Sequence, residues 1–177
     1  MSAREVLPAA PNFHPRYEAR ERIYQYRLFC QEWRDPLRER YAWRVWPPAD
    51  PDLLAQAPAF LPGTHDFSAF GTPPRAESSP IRSVSRASWQ SEPSRLGSPN
   101  LIFEIAGNAF LYHMVRCLVY IQVATAQGRL PLELIQSSLE TPPGQMLQGL
   151  APAQGLTLVK VVYPERTAAG EAEDENT

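Results

Sequence analysis

The spacing of apolar and polar positions changes period several times along this chain, and each change predicts an element. Residues 22–29 (Arg-Ile-Tyr-Gln-Tyr-Arg-Leu-Phe) are rich in aromatic and β-branched types and read as a strand. A period of two places Arg22, Tyr24, Tyr26 and Leu28 on one face and Ile23, Gln25, Arg27 and Phe29 on the other. Residues 81–90, 101–106 and 156–163 read as three further strands, separated by Pro/Ser/Gly-rich loops at 71–80 and 91–100. After Gly107-Asn108 the period becomes helical. Leu111, Met114, Val115, Leu118 and Ile121 share one face, while Tyr112, Arg116 and Tyr120 line another. Asp50-Pro51 is a helix start, with Asp as N-cap and Pro at the first position; Pro58 should kink or shorten this helix and Gly63 should stop it. Pro131 opens a short helix through about Leu139. Strands with two or three interleaved helices, joined in part by hairpin-like turns, predict an α+β layer fold. There is no internal repeat.

Length and composition narrow the class. With 177 residues the chain fits one ordinary domain and can bury a core without metal or disulfide staples. A hydrophobic share of 44% excludes a chain disordered throughout. Cys30 and Cys117 are too few for a disulfide framework or a Cys-rich zinc site, so a reducing cytoplasm is the default location. The N-terminus has no apolar targeting region. The longest apolar stretch, 109–126, carries His113, Arg116, Gln122 and Thr125 and is too short and polar for a membrane span of ~20 residues.

The formal charge of −2 hides an asymmetry. Five acids and one base in 164–177 leave a body of 16 basic and 14 acidic residues, and the first 44 residues hold nine Arg against six acids. Sixteen of the 17 basic residues are Arg, whose planar fork fits phosphate and stacks on bases. This mild basicity permits a nucleic-acid partner without demanding one. The 19 prolines are about twice the usual ~5% share. Three units follow: a lead-in over 1–12, a domain over 13–163, and an acidic tail over 164–177 expected to be disordered.

Signatures of common chemistries are missing: no G-x-S-x-G elbow, no Gly-rich phosphate loop, no H-E-x-x-H. His14, His65 and His113 lie far apart, which argues against a metal site, and His65-Asp66 are chain neighbours that rarely face each other. Four segments are dense in polar and aromatic types. Residues 13–26 combine Arg with Tyr, the pairing that binds phosphate and stacks on an unstacked base; the alternative is an exposed, charge-balanced strand. Residues 63–70 look like a helix end and a packed turn. Residues 107–116 place Arg116 two turns into an apolar helix, where it should either pair with a carboxylate or snorkel to solvent. Residues 151–163 are a turn into a strand.

Taken together and in this order, the four segments resemble the tRNA pseudouridine synthase A family. Residues 13–26 resemble its F-H-A-R-F-x-A-x-x-R-x-Y-x-Y block. Residues 63–70 match G-x-H-D-F-x-x-F, residues 108–116 match N-A-F-x-x-x-M-V-R, and residues 151–158 match A-P-A-x-G-L-x-L. Ser79-Pro80-Ile81-Arg82 resembles a fifth, shorter segment, s-P-x-R. The resemblance implies a mostly antiparallel sheet with helices packed on one face, of the pseudouridine synthase catalytic-domain type. It also implies isomerisation of uridine to pseudouridine in the tRNA anticodon arm at positions 38–40, without metal or other cofactor, by a homodimer. By the same resemblance Tyr24 would stack on the target uracil, Arg116 would pair with the family's nucleophilic Asp, and Arg16 and Arg82 would bind substrate RNA.

The sequence departs from the family in one decisive respect. The nucleophile lies in an R-T-D-A-G-V-H segment that does not occur here, and none of Asp35, Asp50, Asp52, Asp66 and Asp174 has that context. The chain therefore reads as the C-terminal half of a longer enzyme, with the other half encoded upstream, carried by a separate polypeptide, or lost. The alternatives are a non-catalytic RNA-binding module and an inactive gene fragment. Smaller departures are Pro58, which interrupts a helix the family keeps continuous, and Tyr120 and Ala124–Ala126, which fall where the family has a Gly and a Val-Gly pair and so imply a repacked helix end.

Overall fold

The computed structural model describes residue 6 and residues 9–75, 77–95, 97–142 and 146–164. Most of the lead-in and the acidic tail beyond Pro164 lie outside these. The strand expected over 22–29 is β1 (Glu21–Cys30), the central strand of the sheet. Along one side it pairs antiparallel with β5 (Asn100–Gly107), with Tyr24 opposite Ile105 and Tyr26 opposite Phe103. Its other side is shared. The first half pairs antiparallel with β6 (Leu156–Val162) and the last three residues pair parallel with β2 (Trp43–Val45). β4 (Ile81–Glu92) continues the sheet beyond β5, and β3 (Gly63–Asp66) forms the far edge. The sheet is therefore antiparallel at every pairing but one.

The period-two prediction for β1 holds. Tyr26 and Leu28 are fully buried on the face that also carries Phe103 and Ile105 of β5. Onto this face pack α1 (Pro51–Gln56), α2 (Met114–Ala126) and α3 (Glu133–Glu140). Leu118, Ile121 and Met114 of α2 are buried in the same cluster. Each such side chain contributes about 1.5–3 kcal/mol relative to exposure. One buried polar group in α2 is also satisfied: Gln122 Oε1 accepts from Trp89 Nε1 of β4 at 2.9 Å, which keys the helix to the sheet. The opposite face is mixed, with Ile23, Phe29, Ile102 and Ala106 buried among polar and charged side chains. There Arg86 pairs with Glu21 and Glu104, and Gln25 Nε2 donates to Glu104 Oε2. Phe29 on that face is covered by the Arg38 guanidinium, 3.9 Å from the ring centre.

Several local expectations need correction. The helix begun at Asp50 is capped as anticipated, Asp50 Oδ1 accepting from Asp52 N and Leu53 N. It tightens at Ala57 into a 3-10 turn through Phe60, where Pro58 cannot continue the α-helical ladder. Gly63 does not end that helix; it opens β3, so residues 63–66 are an edge strand rather than a helix end. Residues 33–48, for which the spacing predicts no element, contain β2 and a short 3-10 turn, Arg38–Arg40. The helix after Asn108 starts at Met114, because His113 has φ 68 and takes a left-handed conformation. The Tyr112–Arg116–Tyr120 stripe is thereby broken, with Tyr112 outside the helix. Arg116 falls in its first turn rather than two turns in. Tyr120 of α2 is closely packed. Its ring stacks on Trp43, and Gly149 lies so close that a Cβ there would come within 2.0 Å of it. Among the described residues no helix is long and apolar enough to cross a membrane.

Candidate functional site

Residues 13–18 are not strand; they fold as a turn before β1. Tyr17 N and Glu18 N both donate to His14 O, and the turn leans on the end of β6 through Phe13 against Tyr163 and through Tyr163 Oη donating to Pro15 O. Arg22, at the start of β1, ties this turn to the loop after β5. Its Nη1 donates to Ala19 O at 3.1 Å and to Asn108 O at 2.5 Å, and its Nη2 to Arg16 O. Asn108 is fixed in turn by Ser83 N, which donates to Asn108 Oδ1 at 3.0 Å, so a side chain extends the β4–β5 ladder by one rung.

Two residues on from Arg22, Tyr24 faces the same way, and Phe110 meets its ring edge-on at 5.2 Å. The β1–β6 register slips between Ile23 and Tyr24, a bulge of the kind that re-aims a side chain next to a site. Tyr24 and Phe110 form a wall shared by two cavities. The first, about 490 Å³, is lined by Leu111, Met114, Arg116, Ala153 and Leu156 among others. The second, about 450 Å³, is lined by Arg22, Arg82, Asn108 and Ala109. Arg16 and Pro74 border both.

Arg116 does not meet a carboxylate among the described residues. The ion pairs found there are Arg34–Glu39, Arg44–Glu39, Arg86–Glu21 and Arg86–Glu104. Instead Arg116 Nε donates to Ala151 O at 2.7 Å, and Arg116 O accepts from Ala151 N at 3.1 Å. The turn of residues 151–156 is anchored a second time by Tyr26, whose hydroxyl donates to Pro152 O at 2.6 Å. Burial holds the Tyr26 phenol well above its ordinary range, against the opposing charge of Arg116, so it stays a neutral donor. Gly155 is required for close approach: a Cβ there would come within 2.6 Å of the Tyr26 ring and 2.8 Å of Arg27 O. Tyr112 is 66% exposed at the cavity mouth, stacked on His113, with its backbone pinned by a two-bond bridge to Thr72.

The four sequence segments thus divide. Three of them converge at the cavities. The fourth, residues 63–70, is a structural corner: His65 Nε2 lies 3.1 Å from Pro62 O and Asp66 Oδ1 accepts from Ser68 N, so His65 and Asp66 are turned to different partners. Among the described residues no Asp lines either cavity, and no three His, Cys, Asp or Glu side chains gather as a metal site would need. The tRNA pseudouridine synthase family model matches residues 57–164, which hold three of the four segments.

The chain belongs to the tRNA pseudouridine synthase family. Its relatives named tRNA pseudouridine synthase A include one from Moorella thermoacetica, 36% identical over 163 residues, covering 92% of this chain and 64% of that protein. Another, from Pelobacter propionicus, is 33% identical and covers 88% and 62%. A third, from Limosilactobacillus fermentum, is 28% identical and covers 90% and 61%. The chain spans less than two thirds of the length of these synthases.

Sequence reasoning placed Tyr24, Arg16, Arg82 and Arg116 at the site, and all four line the cavities. It missed the roles of Arg22, Asn108 and Phe110 in this synthase-family chain. Arg22 and Asn108 stand at defined positions of the matching blocks, which was a usable signal. What each one holds is a neighbour's backbone carbonyl or amide, and that cannot be read from residue types.

Proposed function

We propose that this chain forms the base-binding side of a synthase that isomerises uridine to pseudouridine in the anticodon stem-loop of tRNA, at positions 38–40. The observation that carries the reading is the shared wall of Tyr24 and Phe110 between one cavity floored by Arg116 and another lined by arginines. A uracil must leave the stack to be reached. The first cavity offers it an aromatic face at Tyr24, apolar walls at Leu111 and Leu156, and a guanidinium at Arg116. That guanidinium orients the nucleophilic carboxylate, which is contributed from outside the described residues. Residues 13–163 are the functional unit, working in the cytoplasm as a homodimer without metal or organic cofactor.

The reading is tested with tRNA carrying tritium at C5 of its uridines, since isomerisation releases that tritium. The purified chain alone releases none. Adding a polypeptide that carries the R-T-D-A-G-V-H segment of a relative restores release from positions 38–40. Release by the chain alone sinks the claim that the carboxylate comes from elsewhere. No release under either condition, with both polypeptides folded, sinks the enzymatic reading in favour of a non-catalytic RNA-binding module.

A further inference from the structure

The first cavity ends at its mouth in an aromatic ring that the core does not use. Tyr112 lines that cavity beside Tyr24, yet its side chain is 66% exposed. Among the described residues its hydroxyl makes no hydrogen bond, and its ring meets no aromatic side chain but His113. A single exposed tyrosine on a free loop would be ordinary. This one is not free.

Its backbone is held on both sides. Tyr112 N donates to Thr72 O at 2.9 Å and Tyr112 O accepts from Thr72 N at 3.1 Å. Gly71 presses close behind, since a Cβ there would come within 2.8 Å of Tyr112 O. The next residue, His113, has a φ of 68, a conformation that a non-glycine residue keeps only where its surroundings hold it. His113 O accepts from Cys117 N at 2.9 Å, which ties the pair to the start of α2. The Tyr112 ring lies on the His113 imidazole, with centroids 3.7 Å apart and planes 30° apart. One face of the ring is therefore backed, and the other is presented to solvent at the rim of the base pocket.

From this geometry we infer that Tyr112, backed by His113, is a stacking platform for the nucleobase adjoining the flipped uridine. A uridine that leaves the stack strips its neighbour of a partner, and a ring at the pocket mouth replaces that partner. A platform ordered before the RNA arrives gives up little conformational freedom on binding. The contact tolerates any base, because each has a π-face. That tolerance suits a site serving several uridines, whose flanking bases differ. The inference rests on the RNA reading above and adds a contact outside the pocket: Tyr24 takes the base that leaves, and Tyr112 the base that stays.

The test is a binding cycle on the full 177-residue chain, using an anticodon stem-loop RNA. An abasic residue replaces, one at a time, the nucleotides on either side of the target uridine. At one of these positions the replacement weakens binding by the unaltered chain about tenfold, as a lost stacking contact should. In Tyr112→Ala the same replacement costs nothing further. Tyr112→Phe keeps the full loss, because the hydroxyl is unused, while Tyr112→Leu, apolar but not planar, behaves as Ala. The salt slope stays the same in all four proteins, since no charge has been removed. Equal losses in Tyr112→Ala and the unaltered chain, or no loss at either position, overturn the platform while leaving the RNA reading intact. A Leu variant indistinguishable from the unaltered chain overturns stacking as the contact. If Tyr112→Ala binds RNA normally but no longer binds a polypeptide carrying the R-T-D-A-G-V-H segment, the ring belongs to a protein interface and the platform is overturned. Binding no tighter than to an unrelated hairpin overturns the RNA reading itself, and the platform with it.

Discussion

Arg116 and Ala151 hold each other twice, Nε to Ala151 O at 2.7 Å and Ala151 N to Arg116 O at 3.1 Å. The first turn of α2 and the turn before β6 are thereby locked together, and the Arg116 side chain is held in one orientation by a main-chain acceptor. Lys in its place keeps the charge but loses both the Nε bond and the planar fork. Arg116→Lys is expected to cost about 1 kcal/mol of stability. In the complemented tritium assay it is expected to cost about 10²-fold or more in rate, the usual consequence of removing a preorganised donor. A Lys variant that releases tritium at the unaltered rate would show that Arg116 positions nothing.

The same turn depends on Gly155. A methyl group there would strike the Tyr26 ring, which is itself fully buried and bonded to Pro152 O. The main-chain Arg27 O lies on its other side, and neither neighbour is free to retreat. Gly155→Ala is expected to destabilise the fold by about 1–3 kcal/mol, as overpacking does, visible as a fall of several degrees in the melting temperature. Because the strain falls on Tyr26 and β1, it should also weaken RNA binding at Tyr24. An unchanged melting temperature would mean the turn relaxes without loss.

How much of this could be read in advance depended on where the information lies. β1 was legible because its residues are strand formers in alternation, with Tyr26 and Leu28 fully buried on one face and Ile23 and Phe29 buried on the other. The kink at Pro58 was legible because the missing N–H is a property of the residue itself. β2 was not legible, since three residues pairing parallel to the end of β1 leave no period to detect. The start of α2 was misplaced because the apolar spacing runs through His113, whose left-handed φ of 68 leaves no trace in that spacing. At the site, Tyr24 and Arg116 came from motif resemblance. The sequence left Arg116 either paired with a carboxylate or snorkelling to solvent; its bond to Ala151 O depends on the path of the turn before β6 and has no signal in residue types.

Two buried groups predict how stability responds to alkali. Burial pushes the Cys117 thiol from about 9 up to about 12, and it raises the Tyr26 phenol as well. Both are neutral in the fold and ionise more readily when it opens. Their stabilising effect is therefore complete below the unfolded values, about 9 for the thiol and 10 for the phenol. It is lost as pH rises beyond these, by up to about 1.4 kcal/mol per pH unit per group. Denaturant melts are expected to show level stability from pH 7 to 8.5 and a steepening decline above pH 9. Tyr26→Phe should remove part of the slope above pH 10. A flat profile to pH 11 would contradict the burial of both groups. The same burial predicts that Cys30, which is half-buried, reacts with a thiol reagent well before Cys117.

Arg22 offers the sharpest separation between holding the fold and holding the site. Its guanidinium bridges three carbonyls, Ala19 O, Asn108 O and Arg16 O, from the turn before β1 and the loop after β5. No Lys ammonium, a single point on a flexible stem, spans all three. The sheet itself does not depend on it, because the β1–β5 register is fixed by main-chain pairing from Arg22 to Phe29. Arg22→Lys is therefore expected to lower stability by only about 1–2 kcal/mol. Amide exchange at Tyr17 and Glu18 should speed up markedly, since their turn loses its tether to Asn108. On the proposed function, affinity for the anticodon stem-loop should fall several-fold with no change in salt slope, because the donors of Arg22 are spent on backbone carbonyls rather than on phosphate. A reduced salt slope would instead make Arg22 a direct phosphate ligand. Unchanged exchange at Tyr17 and Glu18 would mean that the contacts of Phe13 and Pro15 with Tyr163 suffice to hold the turn.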